Sequence, residues 1–138
     1  MTFQQVLDMV RDTAETVNPT GTFVHGRNSD AANAQDLPYP RIHLYPFTQE
    51  RDPIDDEKRT SNLLMSFVDV DSGEQDANER ETIISNMDVL VDAFIAQLQS
   101  DYENSVEFSK IRTEPQYQVL EGVSGYSLEL NIKTQVEC

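Results

Sequence analysis

The stretch YSLELNIKTQVE (126–137) alternates with the two-residue period of a strand. Tyr126, Leu128, Leu130, Ile132 and Val136 fall to one side, and Ser127, Glu129, Asn131, Lys133 and Gln135 to the other. One apolar and one polar face define an antiparallel sheet that is wet on one side and covered by helices on the other. The cover is legible upstream. In residues 77–100, Ile83, Met87, Leu90, Phe94 and Leu98 form a helical seam, widened by Ile84, Val91 and Ile95. The opposite stripe holds Glu81, Ser85, Asp88, Asp92 and Gln99. A helix so divided must bury its apolar side against a sheet or another helix.

A second helix is predicted over residues 2–17. Thr2 and Gln5 make a T-x-x-Q capping box, and Phe3, Val6, Leu7, Val10, Ala14 and Val17 recur at helical spacing. The other side carries Gln4, Asp8, Arg11, Asp12 and Glu15, and NPTG (18–21) ends the helix. The fold class that follows is α+β: a mixed, largely antiparallel sheet with two main helices packed on one face. At 138 residues the chain is a single domain, 1–138, of a size that buries roughly two-thirds of its unfolded surface.

Shorter strands complete the sheet. TFVHG (22–26) and SNLLMSFVDV (61–70) have strand composition. In YPRIHLYPF (39–47), Ile42 and Leu44 face one way, with Arg41, His43 and Tyr45 on a polar face. Pro40 and Pro46 suggest an edge strand or strand ends. Residues 27–38 lack a large apolar side chain before Leu37 and read as a loop. TQERDPIDDEKR (48–59) is a long charged arm whose one aliphatic residue is Ile54. It is expected to project as a hairpin-like arm or to lack order in isolation. The C-terminal third reads as a three-strand meander, 105–113, 116–121 and 126–137, broken at Pro115 and at GVSG.

The nearest thing to a chemical motif is FVDVDSGEQDANERE (67–81). As a calcium loop starting at Asp69 it fails. Gly73 stands where a ligand is needed, Glu74 where glycine is needed, and Arg80 where the closing bidentate glutamate belongs. The same residues make sense as strand end, turn and helix start, with Asp76 and Glu79 as a D-x-x-E capping pair. His25 and His43 have no metal-ligand spacing, and His43 belongs on the surface of its strand. The single cysteine, Cys138, forms no intrachain disulfide, in keeping with a reducing cytoplasm. There is no glycine-rich phosphate loop. No catalytic, cofactor-binding or metal residues are assigned, and the expectation is a protein that is not an enzyme and carries no cofactor.

Net charge is −15. Residues 71–109 contain Asp71, Glu74, Asp76, Glu79, Glu81, Asp88, Asp92, Asp101, Glu103 and Glu107 against one cation, Arg80. Such a surface repels phosphate backbones, because nucleic-acid affinity comes from counterions displaced by Lys and Arg. Neither a leader in MTFQQVLDMVRD nor a membrane-length apolar run is present, so no membrane partner is expected.

The order helix, strands, charged arm, strand, acidic helix and closing strands resembles the tail-terminator and tail-completion (neck) proteins of tailed bacteriophages. The resemblance is carried by TFQQVLDMVRDTAETV, YPRIHLYPF, NLLMSFVDV, NERETIISNMDVLVDAFIAQLQ and GYSLELNIKTQVE. It is one of pattern, with no short signature, and it leaves the loop 27–38 unaccounted for. It implies a structural virion protein, assembled in the host cytoplasm. Its subunits would form a ring, a hexamer or larger, between tail tube and head connector, and DNA would pass without specific binding. The interface residues would then be Arg51, Asp52, Ile54, Lys58, Arg59, His43 and Tyr45, with Glu81, Asp88 and Asp92 lining the lumen. Two other classes fit the composition: an acidic interaction protein that mimics nucleic acid or binds a basic partner, and a small α+β enzyme.

Overall fold

A computed structural model describes residues 1–27, 37–54, 57–70, 77–120 and 122–135. The elements are α1 (Phe3–Val17), β1 (Thr22–His25), β2 (Arg41–Leu44), β3 (Thr48–Arg51), β4 (Lys58–Val70), α2 (Ala77–Asp101), β5 (Val106–Leu120) and β6 (Val123–Gln135). The six strands form one mixed sheet in the order β1-β2-β4-β6-β5, with β3 also paired to β4. Only β1 and β2 run parallel; every other pairing is antiparallel. The α+β architecture with helices on one face is therefore present.

The alternation read from the sequence sets the inner face. Leu63, Met65 and Phe67 of β4 pair across to Leu130, Leu128 and Tyr126 of β6, and Ile42 and Leu44 of β2 extend the row. Val6, Leu7, Val10 and Ala14 of α1 close over this surface beside Ile83, Met87, Val91, Phe94 and Leu98 of α2. Phe67 and Phe94 meet edge to face with ring centroids 5.5 Å apart. The capping box forms as expected, with the Thr2 hydroxyl accepting from the Gln5 amide and the Gln5 side chain accepting from the Thr2 amide. Phe3 departs from the pattern. It is 44% exposed and stacks on Phe47 at 4.7 Å rather than entering the core.

Four further expectations change. The three-strand meander is a single long hairpin, because β5 runs through Pro115 and β6 through Gly125. Pro115 is tolerated because β5 lies at the sheet edge, where a missing N–H need not interrupt a second ladder. Gly125 passes so close to β4 that a methyl group there would overlap the Phe67 carbonyl. The reversal is made instead at Gly122, whose φ of 74° favours glycine.

Second, of the two readings of Pro40 and Pro46, strand ends holds and edge strand does not, because β2 lies between β1 and β4. Its prolines bracket it, so no ladder bond is lost. Third, its polar side is covered: Arg41 and His43 are each 5% exposed. Fourth, the hairpin-like arm forms as one of the two expectations had it, but it adds a strand to the sheet. β3 pairs with the start of β4, which begins at Lys58 rather than at 61. β2 and β3 lie end to end along β4. Leu44 and Thr48 are four residues apart, but their partners Met65 and Asn62 are three apart, so one extra residue is accommodated at Tyr45–Phe47. The acidic cluster's core, 71–76, and loop residues 28–36 lie outside the described residues, as do Asp55, Asp56 and the terminal 136–138.

Candidate interaction surfaces

The charged arm is a β-hairpin held by short local bonds. The Asp52 amide donates to the Lys58 carbonyl at 3.1 Å, and the Asp52 carboxylate accepts the Ile54 amide at 2.8 Å. The second bond is the Asx-turn device that aspartate supplies at a chain reversal. At the arm's base the Gln49 amide donates to Ser61 Oγ at 3.1 Å and to the Met1 carbonyl at 3.3 Å. The Met1 ammonium in turn donates to the Gln135 carbonyl at 2.6 Å and to Thr134 Oγ1 at 3.2 Å. The arm is thus tied to the ends of β4 and β6. It nevertheless buries little beyond its base, and Ile54 at its tip is 95% exposed.

Register places Arg51 directly opposite Arg59. Like charges facing across a ladder repel, and neither guanidinium has a carboxylate within salt-bridge distance among the described residues. With Lys58 next in sequence, the arm sets three cations among five carboxylates (Glu50, Asp52, Asp55, Asp56 and Glu57) and is a projection charged in both signs. A cleft of about 540 Å³ lies between the arm and the start of β5, lined by Glu50, Arg51, Lys58, Glu103, Glu107 and Lys133 among others. Its walls are charged in both signs, unlike the mostly apolar walls of small-molecule sites.

His43 and Tyr45, expected at an interface, occupy the outer side of the sheet. His43 Nε2 donates to the Gly26 carbonyl at 2.6 Å, and its ring lies 4.1 Å from that of Tyr45. Arg41 donates to the Leu37 carbonyl at 2.7 Å and sits 4.1 Å from the Tyr39 ring centroid. These contacts make His43 a buried structural residue, contrary to a surface position. Tyr45 is half-buried, and its hydroxyl begins a row across the outer face. It meets Ser66 Oγ at 3.2 Å, and Ser66 donates to Gln116 Oε1 at 3.2 Å.

Glu81 and Asp92 are exposed, and Asp88 is partly so, on the side of α2 away from the sheet. The structure therefore separates the named residues into three places: arm, outer sheet face and helix stripe. It does not gather them into one site. Among the described residues no group of three or more His, Cys, Asp or Glu can hold a metal ion. No helix there is long and apolar enough to cross a membrane.

Among the described residues, two groups are shifted from their ordinary ranges. The Lys110 ammonium, 2.8 Å away, hydrogen-bonds and attracts the Glu129 carboxylate and so lowers its pKa. The Tyr102 phenol is raised, first by burial and then by the negative charges of Asp12 and Asp101.

The surface least visible in the sequence is β5. Residues 109–115 are exposed on both faces, and Ile111 and Tyr117 are 46% and 67% exposed. The signal was present as a lack of alternation: Lys110, Arg112 and Glu114 interleave with Ser109 and Thr113, so neither parity is apolar throughout. No known protein family matches this chain, and no curated protein matches it.

Proposed function

We propose that the chain is the subunit of a ring in the neck of a tailed bacteriophage, a tail-terminator or tail-completion protein joining the tail tube to the head connector. The observation that carries this reading is the β3–β4 arm, a protruding hairpin that sets Arg51 beside Arg59 on a chain of net charge −15. Its apolar tip and unmatched Arg51–Arg59 pair suit a contact with an acidic neighbour. Opposite charge on distinct surfaces favours head-to-tail association, which closes into rings. The element order found here, with two helices over one sheet face, supports the same family resemblance. In such a ring Glu81, Asp88 and Asp92 line the lumen and repel passing DNA over about a Debye length, roughly 8 Å at physiological salt.

Electron microscopy and mass photometry of the purified protein test the reading. The expected result is a closed ring of six or more copies. The triple variant Arg51→Glu, Lys58→Glu, Arg59→Glu is expected to fold and to lose the ring. A wild-type protein that remains below ring size at every concentration and salt tried overturns the proposal. If that protein binds a basic partner instead, the alternative of an acidic interaction protein takes its place. Reversing Glu81, Asp88 and Asp92 to Lys moves the net charge from −15 to −9 and is expected to retain DNA in the channel.

A further inference from the structure

The β5 edge is the longest open margin of the sheet. It is fifteen residues long, bonded on one side only, and uncovered over its central stretch. An uncovered edge of this length offers a row of backbone donors and acceptors to another strand. The order of side chains decides which strand. In SKIRTEPQY (109–117), reversal about Thr113 brings Arg112 opposite Glu114 of the second copy and Glu114 opposite its Arg112. It also sets Lys110 against Gln116 and the exposed Ile111 against Pro115, which offers a carbonyl but no N–H, so the new ladder lacks one bond on each side of the axis. Shifting the centre to Arg112 or Glu114 brings like charges face to face, which is unfavourable. A centre at Arg112 also pairs Lys110 with Glu114, so of these three centres Thr113 is the one that pairs opposite charges without facing like ones.

We propose that two copies associate through β5, antiparallel, about a two-fold axis at Thr113 perpendicular to the sheet. Such an axis keeps each face of the sheet on its own side, so the two sheets become one continuous sheet with both helix pairs on the same face. The charges on β5 discourage unrelated strands and admit this one. Within a single copy Lys110 binds Glu129 at 2.8 Å and Arg112 lies opposite Glu129, while Glu114 is weakly used. Arg112 and Glu114 approach only to 4.0 Å, with both side chains 65% exposed. This contact is isologous, whereas a ring needs head-to-tail surfaces. It therefore stands or falls separately from the ring, and it leaves the arm and the stripe of α2 free.

The test is a charge-swap series read by sedimentation equilibrium on the full chain in the Arg51→Glu, Lys58→Glu, Arg59→Glu background, which removes the arm contact. The expected state of that background is a dimer. Arg112→Glu and Glu114→Arg should each weaken it about tenfold or more, since each creates two like-charge pairs across the axis. The double swap Arg112→Glu, Glu114→Arg should restore it. Unchanged circular dichroism and melting temperature show that the variants remain folded. Amide exchange in the unswapped background is an independent readout, with alternate amides of residues 109–117 expected to gain protection as protein concentration rises. A background protein that stays monomeric at about 100 µM, a concentration at which even weak specific contacts are populated, overturns the proposal. So does a double swap no better than either single variant.

Discussion

The two margins of the sheet are finished in opposite ways. β1 is four residues long, half-buried throughout, and surrounded by bonds from its own chain. The Thr22 amide donates to the Pro40 carbonyl at 3.1 Å, the Thr22 hydroxyl to the Pro38 carbonyl at 2.8 Å, and the Gly26 amide to the Leu44 carbonyl at 3.0 Å. The rings of Phe3, His25 and Phe47 gather over it, and the Arg11 guanidinium lies 5.7 Å from the Phe23 ring. β5 is nearly four times as long, and its middle has neither ring nor helix above it. A sheet edge that a protein means to close is short, capped and partly buried. The β1 strand meets that description and the β5 margin does not; β3, whose outer side is also unpaired among the described residues, is only four residues long.

Substitutions sharpen this contrast in decreasing order of effect. The centre on which both margins depend should respond most. Phe94→Ala removes the ring packed against Phe67 and should cost about 3–5 kcal/mol in denaturant unfolding. At the closed margin, Gly21→Ala places a methyl against the Pro40 carbonyl and the Asn18 side chain. Overpacking of that kind should cost about 1–3 kcal/mol. At the open margin, Ile111→Ala should shift monomer stability by no more than about 0.5 kcal/mol, as surface changes do. If Gly21→Ala and Ile111→Ala moved the melting temperature equally, the two margins would not differ as described.

The smallest effect is electrostatic and belongs to the open side. The folded pKa of Glu129 is depressed by Lys110, so their pairing contributes fully above the ordinary carboxylate range and fades as pH falls through the lowered midpoint. The carboxylate resonance of Glu129 should titrate below the usual glutamate position, and Lys110→Met should return it upward. An unchanged midpoint in that variant would remove Lys110 as the cause.

What the sequence disclosed follows from locality. The capping box at Thr2 and Gln5, the seam of α2 and the alternation of β6 depend on residues a few positions apart, and each element stands where its pattern put it. The covering of Arg41 and His43 depends on Leu37 and Gly26, whose positions only the folded sheet fixes. Pro115 reads locally as a break, and only its place at an edge makes it harmless. The same holds for the candidate interaction surfaces. The acidic stripe of α2 was legible from helical spacing, whereas the Arg51–Arg59 opposition required the register of a hairpin.

The end-to-end arrangement of β2 and β3 along β4 has a kinetic consequence. The partner edge is divided at Pro46 and Phe47 into two ladders of four residues, not one continuous zipper. Opening the β3 segment breaks few bonds and uncovers almost no apolar surface, while Ile42 and Leu44 remain locked in the core. Partial unfolding of this kind proceeds at a free energy well below the global value. The amides of Thr48–Arg51 are therefore expected to exchange with solvent long before those of β2. On this expectation β3 opens alone, while Lys58 and Arg59 stay paired to β6.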